Sequence, residues 1–140
     1  MKSERANFMI NPIYLNTYFL VEDEISDWPD KFAIITAYAT TGEDWSDQQN
    51  KAADSALEEK LKKHYTWIKR VTGYSPKSGY CEAGWAVNSD WTNSCDLGAQ
   101  FKQDAIYYVS NNVLTVSYCD ERRKEVYVGK FLERVTCEGK

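Results

Sequence analysis

AIITAYATTGEDWSDQQN, residues 33–50, joins an apolar run to a helix signal through a loop of small and polar residues. Extended back to Lys31, the stretch KFAIITAYA (31–39) is almost unbroken in its apolar character, the pattern of a strand buried on both faces. Ser46-Asp47-Gln48-Gln49 then has the Ser-x-x-Gln spacing of a capping box, in which side chain and backbone satisfy each other's first-turn amides. The helix it opens runs to about His64, with Ala53, Leu57 and Leu61 on an i, i+4, i+8 stripe. A central strand that ends at a helix N-terminus is where many α/β proteins hold ligands. The junction at 38–45 is therefore both a connection and a candidate site.

On the N-terminal side, IYLNTYFLV (13–21) is rich in strand formers, with room for a short helix at its start, and the acidic VEDEISDWPD (21–30) ends it. After the helix, TWIKRVT (66–72) alternates as a strand, GYSPKSGY (73–80) is a punctuated loop, and AGWAVNS (83–89) is a shorter strand. Asn93 or Ser94 can cap a second helix to about Lys102, with Leu97 and Phe101 turned to the core. AIYYVS and VLTVSY flank Asn111-Asn112, a two-residue hairpin signal, and EVYVG and FLERV finish as strands. Residues 32–109 thus read strand, helix, strand, strand, helix, strand. That order predicts an α+β fold with a ferredoxin-like (split βαβ) core and two helices on one face of a mixed or antiparallel sheet, extended by strands at both ends. The 73–82 connection is too short for a crossover helix, which disfavours a doubly wound parallel sheet.

A chain of 140 residues suits one domain, able to bury about two-thirds of its unfolded surface without disulfides or metal. The formal net charge of −4 lacks the basic excess of a nucleic-acid binder. Cys81, Cys95, Cys119 and Cys137 have no metal-ligand spacing, and His64 is the single histidine, so neither a zinc site nor another cofactor is expected. The start, MKSERANFMINP, has no signal-peptide core and no run reaches membrane-spanning length. A cytosolic protein with reduced thiols is expected.

Three polar residues occupy positions of interest. At about 100° per residue, Asn50 lies within about 20° of Leu57 and Leu61, on the apolar stripe one turn into the helix. Such an Asn either ties down the 38–45 loop or faces a crevice and holds a ligand. Gln103 stands at a helix-to-strand corner, from which a side chain can reach over the sheet. Glu82 precedes a strand, where a carboxylate can serve as base or hydrogen-bond acceptor. No histidine lies near in sequence to complete a relay with it or with any cysteine, so no catalytic constellation is visible.

FAIITAYA, WSDQQNKAADSALEEKL, GYCEAGWAV and DLGAQFKQDAIYYV, taken in order, resemble the bacterial domain of unknown function 3293. Its pattern runs from an ITA-x-NP strand end through S-x-x-x-N at a helix start and a Glu-Pro before a short strand, to LG-x-x-F-x-Q-x-A. The matching positions include Thr36, Ser46, Asn50, Glu82, Gly98 and Gln103, within a span of about 32–109. The resemblance implies a shared site at Thr36, Asn50, Glu82 and Gln103. Ala39-Thr40 stands where the family has Asn-Pro, and Glu82-Ala83 where it has Glu-Pro, so a contact made by that Asn would be altered here.

Two functions fit. The first is a small-ligand binding module, for a nucleotide or metabolite, with a polar pocket at the end of the central strand. Free amides at Ser46–Gln49 could receive an anion, although no glycine-rich phosphate loop is present. The second is a bacterial or phage protein-binding module of the inhibitor, immunity or anti-defence type. It would present Trp28, Trp45 and Trp91 in an exposed patch.

Overall fold

The computed structural model describes residues 12–38, 44–121 and 123–138. After a helical turn at Pro12–Leu15 come strands β1 (Tyr18–Val21) and β2 (Lys31–Thr36), then helix α1 (Asp47–His64). Strands β3 (Ile68–Tyr74) and β4 (Cys81–Val87) precede helix α2 (Trp91–Gln100). The chain continues through β5 (Ala105–Ser110), β6 (Val113–Tyr118), β7 (Glu125–Lys130), a 3-10 turn at Phe131–Glu133 and β8 (Val135–Cys137). The fold is α+β. All eight strands form one mixed sheet in the order β7-β6-β5-β2-β4-β3-β1-β8, antiparallel except for the parallel pair β1–β8. Among the described residues no helix is long and apolar enough to cross a membrane.

Strand β2 sits near the middle, between β4 and β5, and four of its six residues are buried, as its apolar run dictates. Its alternate side chains feed two cores. Ala33 and Ile35 meet Leu57 and Leu61 of α1, Cys95 and Leu97 of α2, and their neighbours, so both helices cover one face. Phe32 and Ile34 face the other way, into a cluster with Phe19, Val71, Leu114 and Phe131.

Neither α1 nor α2 packs on that second face; the sheet curls over it. Strands β7 and β8 stand at opposite ends of the strand order, yet residues 131–134 alone connect them. The connection is pinned at both ends: the Phe131 amide donates to the Asn112 carbonyl (2.9 Å) and the Phe19 amide to the Arg134 carbonyl (2.8 Å). Phe131 fills the concavity, its ring 5.7 Å from Phe19, 5.1 Å from Phe32 and 4.8 Å from Trp28 by centroid. Burial of this aromatic group is what makes curling favourable, since each large ring removes apolar surface from water.

The capping box forms as the spacing demands: Ser46 Oγ accepts from the Gln49 amide, and Gln49 Oε1 accepts from the Ser46 amide. Asn111 and Asn112 both take positive φ (+50° and +69°), the conformation a two-residue β5–β6 turn requires. The second helix differs from expectation. Asp90, not Asn93 or Ser94, is its cap, accepting from the Asn93 amide at 2.7 Å, and the helix ends at Gln100. The final FLERV stretch (131–135) also differs. It is the 3-10 connector, and only its last residue begins a strand.

Candidate functional site

Where the curled sheet opens, a cavity of about 600 Å³ lies over the concave cluster. Phe19, Ile34 and Val71 form its floor, as the upper members of that cluster. Its wall is drawn from the C-terminal ends of β2 and β3 and the N-terminal ends of β4 and β5, with the start of α1 at the rim. Gly84 belongs to this wall because a side chain cannot fit there: a Cβ would fall 2.7 Å from the Ile35 carbonyl oxygen across the β2–β4 pairing. Gly73 is the opposite case, with only ordinary contacts at 3.5 Å (Thr17 Cγ2) and 4.0 Å (Glu82 O).

All four residues singled out in the sequence line this one cavity. Their roles differ. Thr36 finishes the central strand: its hydroxyl donates to the Ala83 carbonyl (3.1 Å) and accepts from the Tyr38 amide (3.2 Å). Gln103 does reach back over the sheet. Its Nε2 donates to the carbonyls of Tyr38 (2.7 Å) and Phe101 (3.1 Å), which ties the α2–β5 corner to the end of β2. Asn50 is half-buried at the rim. The apolar-stripe position that matters for packing belongs to Asp54, one turn on and buried. Its carboxylate receives Arg70 Nη1 and Nη2 at 2.9 and 2.7 Å and the Trp85 indole at 3.1 Å. The Arg70 guanidinium also lies 3.9 Å from the Trp85 ring centroid. Sequence reasoning missed Asp54; a charge at i−3 from Leu57 on a buried helix face was the available signal.

Glu82 is the titratable group of greatest interest. Burial pushes its carboxyl up, opposed by the hydroxyls of Tyr80 and Thr36 nearby. Tyr80 Oη donates to Glu82 Oε2 at 2.6 Å, the short geometry of a charge-assisted bond. Tyr80 was not anticipated, although an aromatic two residues before the carboxylate was legible. Its phenol is in turn raised by burial and by Glu82. Tyr107 donates to the Tyr14 carbonyl (2.8 Å), and burial raises its phenol too. Tyr14 is pushed up to about 12, by burial first and then by the negative charge of Asp104. These phenols therefore stay protonated through neutrality, and those of Tyr80 and Tyr107 are spent on partners inside the protein.

Among the described residues no group of three His, Cys, Asp or Glu converges to hold a metal. The first-turn amides of Ser46 and Gln49 are occupied by the capping box, not offered to an anion. Residues 39–43 of the expected 38–45 loop, including Ala39-Thr40, lie outside the described residues. The three tryptophans do not form a patch. Trp28 packs in the concave cluster, Trp91 against the helix-side core with its indole on Ser117 (2.9 Å), and Trp45 lines the cavity; all three are half-buried.

Searches of curated proteins and of solved structures return no match. A family model described as protein of unknown function (DUF3293) matches residues 35–106, just over half of the chain, and that span contains Thr36, Asn50, Glu82 and Gln103. The chain belongs to the DUF3293 family.

Proposed function

We propose that this chain is a small-ligand binding module whose site is the cavity at the mouth of the curled sheet. The observation that carries the reading is the convergence of Thr36, Asn50, Glu82 and Gln103 on one cavity bordered by aromatic residues. A concave, mostly apolar pocket with a few polar groups and a perturbed carboxylate is the form that small-molecule sites take. The volume suits a metabolite-sized ligand. A nucleotide phosphate is disfavoured because no Lys, Arg or His is among the described lining residues. The protein acts in the cytosol by binding, with no reaction assigned to it.

The same proposal takes β2–β5 and the two helices as a split βαβ unit. The order β5-β2-β4-β3, antiparallel throughout, supports this, since it is the order such a unit produces.

A thermal-unfolding screen against chemically diverse metabolites tests the reading. A true ligand at a hundredfold excess over its Kd adds about 2.7 kcal/mol, on the order of 10 °C for a chain this size. Glu82→Gln should shrink that shift. A screen without hits would remove the site.

A further inference from the structure

Resting on the cavity reading above, we infer that the ligand is an organic cation, an ammonium or guanidinium compound with an apolar body. Four features of the site support that class. The first is charge. Glu82, Asp44 and Asp104 place three carboxyl groups around the cavity, and the described lining has no base to offset them. Arg134, whose charge reaches Tyr107, is held by the carbonyls of Leu15 (2.8 Å) and Thr17 (3.2 Å) and does not line the cavity.

The second feature is the aromatic wall: Tyr14, Trp45, Tyr74, Tyr80 and Tyr107 all border the space. Aromatic faces carry negative potential, and several around one volume favour a desolvated cation over a neutral or anionic group. The third is how the polar atoms are spent. Tyr80 and Tyr107 use their hydroxyl hydrogens on Glu82 and on the Tyr14 carbonyl, and Gln103 uses its amide hydrogens on two backbone carbonyls. With these hydrogens committed, the three side chains keep acceptor oxygens, which suit an N–H donor. The fourth is the lack of converging metal ligands among the described residues, which turns the charge preference from a metal to an organic ion.

Glu82 has the central part. It is the half-buried carboxylate of the three, with Asp44 and Asp104 exposed, and Tyr80 fixes its orientation. A bound cation would relieve the burial penalty on its charge, so binding and ionisation should reinforce each other.

Matched probes separate this inference from the cavity reading itself. The ¹⁵N-labelled full chain is titrated with phenethylammonium, 2-phenylethanol and phenylacetate, and with choline against its uncharged isostere 3,3-dimethylbutan-1-ol. The amides of Gly73, Glu82, Gly84 and Tyr107 are followed. The expected result is saturable shifts of these amides by the cations, with affinity at least about tenfold above that for the matched alcohols. Phenylacetate should bind most weakly, and Glu82→Gln should reduce cation affinity more than alcohol affinity. Alcohols or phenylacetate binding at these amides as well as the cations do would overturn the cationic class and leave the cavity as a ligand site. No probe moving these amides at millimolar concentration would overturn both.

Discussion

Glu82 is kept where its charge is disfavoured, and a neutral side chain would suit the fold better. Its folded-state pKa is raised by burial, so the native state binds the proton more tightly than the unfolded chain does. Stability contributed by such a group falls as pH rises from the ordinary glutamate value of about 4.3 through the raised folded value. Glu82→Gln, which can still accept from Tyr80, should therefore be more stable than wild type at pH 7. The gain should vanish once the pH drops below about 4. Urea unfolding at the two pH values checks this, and a variant less stable at pH 7 would mean that the carboxylate serves the fold. Asn50 makes the complementary case. It is half-buried on the rim of an open cavity, where water can take over any hydrogen bond that is lost. Asn50→Ala should leave the urea-derived stability within about 0.5 kcal/mol of wild type, since the better helix propensity of alanine offsets small losses. A loss above about 1.5 kcal/mol would make it an anchor of the fold. Gln103 and Thr36 are mixed: they line the cavity, but their recorded bonds also fasten strand ends.

Elements were legible where the signal was local. The apolar run of β2, the Ser46–Gln49 box and the Asn111-Asn112 turn each determine their structure over a few residues, and each forms as expected. Helix α2 was misplaced at its start because Asp90, Asn93 and Ser94 can all cap, and side-chain geometry selects Asp90. The connector 131–134 was unreadable for a different reason. Its course is set by Phe131 docking among Phe19, Phe32 and Trp28, contacts far away in sequence. Packing of α2 depends on Gly98, where a Cβ would come within 2.5 Å of Cys119 Sγ and 2.7 Å of Ile106 Cγ2. Gly98→Ala gains helix propensity but must displace a fully packed core, and overpacking of this kind costs about 1–3 kcal/mol. Chemical denaturation that shows no loss would mean that the α2–β5 contact is looser than described.

At the scale of the molecule, two cores on opposite faces of one sheet divide the work. The helix-side core is what the sequence pattern anticipated, whereas the curl that makes the cavity comes from β1, β7 and β8, which no local signal arranges. The polar site was therefore visible as residues but not as a volume. Gly73 gives direct access to that volume. A leucine there meets only ordinary contacts at its Cβ, suits a strand better than glycine, and would project into the cavity. The most direct measurement is native mass spectrometry of wild type and Gly73→Leu, each folded by circular dichroism, after dialysis against a small-molecule cell extract. Wild type should retain a discrete metabolite-sized adduct that Gly73→Leu does not. Bare protein in both samples, or the same adduct on both, would contradict the assignment of the cavity as a ligand site.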